Sequence, residues 1–272
     1  MQALVNDPIA PLYEKVNDQT LDDEALYGMR LDIIEEAGGG WARIKTPYRY
    51  ESLVETKHLL TSKDALDSWE KAEKKVVQKA YADVMDIPKV QGRRMISLTR
   101  GALVSLLEPA NTPGGWAKIG LCDGREGYMK EKFLSGVQPS DLYLNECLFR
   151  TKVVETALTY LGTQYRWGGK TPLGIDCSGL CSMSYWLNGV AIYRNASMPE
   201  GYPVHEIPFD SKKPGDLFFY PGHVAMYIGN DLYIHSTARD GDDGVVINSL
   251  DPSDGRYRGD LPKMLIGVGS IY

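Results

Sequence analysis

Alternating apolar and polar residues predict that the first half of the chain is rich in β-strands. The segments "LYGMRLDIIEE" (26–36) and "LTRGALVSLLE" (98–108) have the two-residue period of half-buried strands. Downstream of each, "WARIKTPYRYESLVETKHL" (41–59) and "WAKIGLCDGREGYMKEKFL" (116–134) align without a gap, and both follow Gly-Gly. Self-similarity of this kind predicts two copies of one small β unit.

Three segments carry patterns that predict helices. Between the repeats, "TSKDALDSWEKAEKKVVQKAYADVM" (61–85) can begin at Thr61 or Ser62, and its apolar stripe contains Leu66, Trp69, Ala72 and Val76. In the second half, "TKVVETALTYLG" (151–162) is amphipathic and ends at Gly162. A third helix is predicted directly after Cys177, over residues 178–187.

Three apolar runs near the C-terminus predict strands: "DLFFY" (216–220), "HVAMYIG" (223–229) and "LYIHST" (232–237). Helices beside such strands indicate an α+β layout with an antiparallel sheet. If residues 229–231 form a three-residue hairpin loop, His223 and His235 share one face of the sheet. A two-residue loop would place the two imidazoles on opposite faces.

Composition narrows the class of protein. The 272 residues carry a net charge of −6 with a pI near 5.3, which argues against nucleic-acid binding. The length suits two or three small domains, and we expect a monomer. No apolar stretch is long enough for a membrane span. The N-terminus lacks the basic and apolar regions of a signal peptide, so we expect a cytoplasmic protein, or a periplasmic or secreted one if a leader was removed.

The glycine-rich segment that leads to Cys177 is the strongest chemical signal. A thiol at a helix N-terminus is expected to have a lowered pKa and to act as a nucleophile when a base is near. The alternative is a small buried cysteine, which is our assignment for Cys181. A zinc site from both cysteines with His223 and His235 is disfavoured by the C-x₃-C spacing, so we expect neither metal nor cofactor.

The repeated units resemble bacterial SH3-like domains. On that resemblance the chain contains a first SH3-like domain (1–60), a helical linker (61–83) and a second SH3-like domain (84–140). Gly127 predicts a sharp turn between strands of the second copy. Ser52 stands at the matching position, which predicts a differently built turn in the first copy.

Residues 150–272 resemble the NlpC-type cysteine peptidases of bacterial cell-wall metabolism. The matching motifs, in order, are "GTQYRWGGKTPLGIDCSG", "KPGDLFFY", "GHVAMYIG" and "YIHS". The resemblance implies a papain-like NlpC-type catalytic domain, preceded by two small SH3-like β-barrels, with Cys177 as nucleophile, His223 as base and His235 as its orienting partner. Such enzymes cut after γ-D-glutamyl in murein peptides. The branch with two SH3-like domains releases L-Ala-γ-D-Glu from peptides with a free N-terminal amine.

The same resemblance implies a set of substrate-binding side chains. In the catalytic domain they are Tyr165, Asp176, Ser178, Arg194 and Ser197. Asn195 stands where the family often has an aspartate. In the first SH3-like domain, Glu24 and Tyr50 are expected to hold the substrate amine, with Asp22 or Asp23 as alternatives to Glu24.

Two other functions stay open on the sequence. The chain could be a catalytically inert peptidoglycan-binding protein, or a Cys/His amidase acting on another acyl donor. The presence of Cys177, His223 and His235 together favours the peptidase. A murein peptide is then the expected partner.

Overall fold

The first of two structural units holds a repeated antiparallel sheet. The structure is a computed structural model that describes residues 1–17 and 20–272, and the two units are Met1–Val137 and Gln138–Tyr272. In the described part of Met1–Val137, the first sheet has seven strands: β1 (Gln2–Val5), β2 (Ile9–Tyr13), β3 (Leu21–Leu26), β4 (Arg30–Gly38), β5 (Trp41–Lys45), β6 (Glu51–Glu55) and β7 (Leu59–Leu60). A short helix, α1 (Lys63–Lys71), follows.

The second sheet repeats the first, strand for strand. Its strands are β8 (Lys74–Val77), β9 (Tyr81–Met85), β10 (Arg94–Thr99), β11 (Leu103–Glu108), β12 (Trp116–Gly120), β13 (Glu126–Lys130) and β14 (Leu134–Gly136). The spatial orders are β3-β2-β6-β5-β4-β1-β7 and β10-β9-β13-β12-β11-β8-β14. The predicted duplication is therefore confirmed. Neither sheet closes into a barrel in the part of the chain that the structure describes, because its two end strands do not pair.

The two copies build the same turn, contrary to the expectation from Ser52 and Gly127. Residues 46–50 connect β5 to β6, and residues 121–125 connect β12 to β13. The left-handed position in these turns is Arg49 (φ 65°) in one copy and Gly124 (φ 87°) in the other. Gly127 lies inside β13, where a Cβ would come within 2.5 Å of the Val84 side chain, so its role is close packing.

The helix predicted over 61–85 is wrong beyond Lys71. The backbone turns extended at Ala72, and the Lys74 ammonium donates to the carbonyl oxygens of Trp69 and Ala72 at the helix end. Val76 then pairs with Leu103 of β11, and both Val76 and Val77 are buried. Strand pairing and burial of β-branched side chains outweigh the helical pattern here.

The second unit, all of whose residues are described, packs helices on a six-stranded antiparallel sheet. Its elements are α2 (Glu146–Leu158), β15 (Lys170–Thr171), β16 (Gly174–Ile175), α3 (Cys177–Trp186), β17 (His205–Ile207), β18 (Leu217–Tyr220), β19 (His223–Gly229), β20 (Leu232–Thr237), β21 (Gly244–Ser249) and β22 (Gly267–Ser270). The sheet order is β17-β22-β18-β19-β20-β21, and α3 packs on β19 and β20. The predicted α+β layout and the three predicted strands are present. The helix predicted over 151–162 begins earlier, at Glu146, because Asn145 caps it by accepting from the Leu148 N–H at 3.1 Å.

No helix formed by the described residues is both long and apolar enough to span a membrane.

Candidate active site

The glycine-rich loop before Cys177 allows the backbone to pack directly against the start of α3. A Cβ at Gly179 would lie 2.3 Å from the carbonyl oxygen of Gly169, so only glycine fits this contact. Asp176 is the N-cap, and its carboxylate accepts from the N–H groups of Gly179 (2.5 Å) and Gly168 (2.9 Å). One side chain thus ties the loop to the helix that begins with Cys177.

Arg194, from a segment that follows α3, pairs with Asp176 and so also binds the start of this helix. It is 1% exposed, and its guanidinium donates to both oxygens of Asp176, at 3.1 and 3.0 Å. Arg194 also donates to the Ser178 hydroxyl at 2.8 Å, and Ser178 donates to Asp176 at 3.1 Å. A bidentate buried pair of this kind holds the planar groups in a defined orientation. The N-terminus of α3 is therefore fixed by charge as well as by packing.

The β19–β20 hairpin brings the two histidines to one face, but not by the predicted three-residue loop. The turn has two residues, Asn230 and Asp231, both with positive φ. The register then shifts between Tyr227 and Gly229, so Ile228 is an extra residue in β19. This β-bulge restores the register that a two-residue turn alone would lose.

His223 and His235 are hydrogen-bonded to each other. The His223 Nε2 to His235 Nδ1 distance is 2.8 Å, and the His235 Nε2 lies 2.8 Å from Oδ1 of Asn248 on β21. His235 is completely buried. Burial and the neighbouring His235 lower the pKa of His223 to about 3, and burial lowers the pKa of His235 to about 4. Both rings are accordingly neutral at pH 7.

Cys177 lies at the first turn of α3 beside β19 and is 6% exposed. Burial, and after it the Asp176 carboxylate, raise the pKa of the thiol to about 11, while the N–H groups of Val224 and Ser178 lower it. The lowered pKa expected from the helix terminus is therefore wrong, because loss of solvation outweighs the N–H groups. Among the described residues, no hydrogen bond joins the Cys177 thiol to the His223 ring. In the unliganded site the Cys177 thiol is therefore neutral, and it lies next to β19, the strand that carries the neutral His223 ring.

A narrow pocket opens beside α3. Ser178, Asn195 and Ser197 supply polar groups to it, and apolar side chains that include Val224 and Phe219 form much of the remaining lining. Two side chains that the sequence analysis assigned to the substrate, Ser178 and Ser197, thus line one pocket. Across the described residues no group of three or more His, Cys, Asp or Glu side chains is arranged to hold a metal ion.

Comparisons with known proteins place the chain in a family. The model of the NlpC/P60 family matches residues 162–254. The chain is 41% identical to dipeptidyl-peptidase 6 of Lysinibacillus sphaericus over 276 aligned positions, which cover 100% of both chains. The chain belongs to the NlpC/P60 family. The resemblance seen in the sequence motifs is confirmed, and this NlpC/P60 protein is a cysteine peptidase.

One further relative and one solved structure are similar to different lengths of the NlpC/P60 protein. Gamma-D-glutamyl-L-lysine dipeptidyl-peptidase of Bacillus subtilis (strain 168) is 33% identical over 92 residues, which are 31% of each chain. The crystal structure of an NlpC/P60 family protein from Bacillus cereus ATCC 10987 has a TM-score of 0.80, with 17% identity and 98% of both chains covered. At 17% identity, the similarity to the Bacillus cereus structure shows a common fold and nothing beyond it.

The remaining predicted residues lie in different parts of the NlpC/P60 protein. Tyr165 is half-buried, and burial, together with Cys177 and Asp176, raises the pKa of its hydroxyl. In the first unit, Glu24 is buried on β3, and the Tyr50 hydroxyl donates to Asp22 at 2.8 Å. The structure thus brings Asp176, Ser178 and Arg194 into one hydrogen-bonded group, while Glu24 lies on β3 and Tyr50 lies in the turn between β5 and β6 of the first unit.

Sequence reasoning missed Asn248. The signal that could have found it is strand pairing. Val246 of β21 pairs with His235, so Asn248, two positions further along β21, lies on the same face of the sheet as His235. The strand itself, "GVVINS", was not assigned before the structure, so the asparagine had no partner to suggest its position.

Proposed function

We propose that the protein hydrolyses the bond between γ-D-glutamyl and the L-diamino acid of murein stem peptides. The product would be L-Ala-γ-D-Glu, released from peptides with a free N-terminal amine. Support comes from full-length similarity to one dipeptidyl-peptidase, partial similarity to another, the hydrogen-bonded pair of histidines, and the buried Cys177 thiol, which accepts from the N–H of Val224, the residue after His223. The observation that carries the proposal is the full-length match together with Cys177 at the start of α3.

In this mechanism the neutral His223 accepts the proton of the Cys177 thiol as sulfur attacks the γ-carbonyl carbon. A C–S bond forms and the carbonyl π electrons move to oxygen. The Gly179 N–H in the first turn of α3 already donates to Asp176, whereas the Cys177 N–H has no helical partner and can stabilise this oxyanion, at about 3 kcal/mol for such a donor. The protonated His223 then delivers its proton to the departing amine of the diamino acid. Water, deprotonated by His223, then attacks the thioester carbon. The C–S bond breaks, the dipeptide leaves as the carboxylic acid, and the proton on His223 returns to the Cys177 sulfur.

The substrate-binding residues divide into two groups in this proposal. Tyr165, Ser178 and Ser197 contact the peptide. Asp176 already accepts from five donors, which occupy the lone-pair positions of a carboxylate, and Arg194 supplies two of those donors. We therefore assign Asp176 and Arg194 to positioning of the nucleophile helix.

Cys177→Ala provides the first test. Wild type should convert L-Ala-γ-D-Glu-diaminopimelate, or its lysine analogue, to a dipeptide identified by mass spectrometry, and the alanine variant should not. Activity of the Cys177→Ala variant on this peptide would contradict the proposed function. Binding to peptidoglycan without turnover by wild type would favour the inert binding protein, and a different acyl product would favour the amidase.

The repeated sheets enter the proposal through amine recognition. We propose that they are SH3-like domains, and that Glu24 and Tyr50 contribute to holding the substrate amine. Glu24→Gln and Tyr50→Phe should raise KM for a peptide with a free N-terminus and leave kcat close to wild type. If an N-acetylated peptide is hydrolysed as well as the free one, amine recognition is excluded whatever the effect of these variants. The SH3-like assignment rests on the repeated strand pattern, since neither sheet closes among the described residues, and an experimental structure in which both sheets also stay open would exclude it.

A further inference from the structure

We infer that Asn248 is a positioning residue that decides which nitrogen of each histidine carries the proton. In this role, which depends on the peptidase function proposed above, it leaves Nδ1 of His223 with a free lone pair. Asn248 lies on β21, two strands away from His223, and among the described residues it is hydrogen-bonded to His235 and not to His223. Its effect on the base passes through His235.

The orientation of the Asn248 amide is set by a backbone carbonyl. The Nδ2 atom lies 2.9 Å from the carbonyl oxygen of Arg256, which can only accept a hydrogen bond. The amide nitrogen must therefore face Arg256. The other end of the amide, Oδ1, faces His235 Nε2 at 2.8 Å. A flipped amide would place oxygen against oxygen at Arg256 and is excluded.

Proton positions on both rings follow from that orientation. Because Oδ1 can only accept, His235 Nε2 carries the proton. A neutral His235 then has a lone pair at Nδ1, which accepts from Nε2–H of His223 at 2.8 Å. The neutral His223 is left with its lone pair at Nδ1, available as the base. Without the Asn248 acceptor, the opposite proton positions become possible. His235 then donates from Nδ1 to Nε2 of His223, and His223 carries its own proton at Nδ1.

Burial makes the Asn248 contact hard to replace. His235 is completely buried and Asn248 is 8% exposed, so bulk water does not reach the Nε2 position freely. The charged groups that influence the histidines are Arg258 and Asp260, which follow β21, and Asp176, which precedes α3. None of these three is hydrogen-bonded to either ring in the described residues, so the proton positions depend on Asn248.

Two substitutions and one control separate this role from a purely structural one. Asn248→Leu keeps the branched shape of the side chain and removes the acceptor. Asn248→Asp keeps an acceptor facing His235, and its second carboxyl oxygen, which meets the Arg256 carbonyl oxygen, must be protonated to donate there. Arg256→Ala is the matched control, because it removes an exposed side chain that pairs with Asp254 and leaves the carbonyl oxygen in place. The full chain contains four histidines, so ¹⁵N-histidine labelling gives a spectrum that His58→Asn and His205→Asn variants can assign.

Wild type should show the Nε2–H form for both His223 and His235. Asn248→Leu should shift both rings toward the Nδ1–H form and lower kcat by about 10²-fold or more, with KM nearly unchanged, because Nδ1 of His223, the nitrogen that accepts the thiol proton in the proposed mechanism, then carries a proton itself. Asn248→Asp should keep the Nε2–H forms and recover most of kcat. Arg256→Ala should match wild type in spectrum and rate.

The wild-type spectrum alone can overturn the inference, since an Nδ1–H form of either histidine contradicts it without any variant. Wild-type proton positions and kcat in a folded Asn248→Leu variant would also overturn it. If Asn248→Leu fails to fold, as judged by circular dichroism, the Asn248→Asp spectrum decides, and an Nδ1–H form there contradicts the role. Inactivity of wild type on murein peptides would instead reject the proposed function, while the spectra still report the proton positions.

Discussion

At the scale of single residues, the unliganded site favours a neutral Cys177–His223 pair over an ion pair. Burial raises the pKa of the thiol to about 11 and lowers the pKa of His223 to about 3. The raised pKa disfavours the thiolate form of Cys177, and the lowered pKa disfavours the imidazolium form of His223. In the proposed mechanism the nucleophile is therefore generated during attack, by proton transfer to His223, and is not stored as a thiolate.

This neutral pair predicts an unusual pH dependence. The value of kcat/KM should stay level through neutral pH and fall only as the pH drops toward the lowered pKa of His223, because a protonated imidazole cannot accept the thiol proton. The measurement is kcat/KM on the tripeptide between pH 4 and 9, with circular dichroism to confirm folding at each pH. An acid limb centred at or above the ordinary histidine pKa of about 6.5 would contradict the neutral pair.

The Asp176–Arg194 pair makes a second prediction at this scale. Arg194→Met leaves a buried carboxylate without its counter-charge and should lower the free energy of unfolding by about 3–5 kcal/mol. Adding Asp176→Asn removes the unpaired charge, so the double variant should lose less than the sum of the two single changes. Urea denaturation of the four proteins measures this. Strictly additive losses would show that the two side chains do not act as a pair.

At the scale of elements, Gly179 connects the glycine-rich loop to the nucleophile helix. Alanine inside a helix is ordinarily favoured over glycine by about 0.5–1 kcal/mol. At position 179, however, the added Cβ would meet the Gly169 carbonyl oxygen at 2.3 Å. Backbone atoms cannot give way as a flexible side chain can, so the steric cost should exceed the helical gain.

Gly179→Ala should therefore lower the free energy of unfolding by about 1–3 kcal/mol. It should also reduce kcat on the order of 10²-fold, because displacing the start of α3 moves Cys177. Gly255→Ala is the control, since a Cβ there meets nothing within 4 Å and no positive φ is involved. Equal kcat and stability for the two variants would show that the loop contact does not position the nucleophile.

At the scale of the whole molecule, each unit has its own core. The cluster in Gln138–Tyr272 includes Phe218, Tyr220, Tyr233 and Val268, and the size of this unit is that of a common single domain, about 100–150 residues. We predict that residues 138–272 fold alone, with cooperative urea unfolding and the same histidine proton positions as the full chain. Non-cooperative unfolding of this fragment would show that its core depends on the first unit.

The sequence by itself determined the features that depend on local pattern. The duplicated β unit, the start of α3 after Cys177 and the strands that carry His223 and His235 all follow from hydrophobic periodicity and glycine-rich turns, which neighbouring residues dictate. The family motifs also lie in short continuous segments, so they were visible without any structure.

Tertiary structure decided the features that depend on distant partners. The helix of 61–85 ends at Lys71 because Val76 pairs with Leu103 of β11 and Val77 pairs with Leu134 of β14, both distant along the chain. Asn248 meets His235 only through strand pairing, and the bulge at Ile228 sets the register that joins the two histidines. The raised pKa of the Cys177 thiol comes from burial, which the complete fold produces and a local pattern does not reveal.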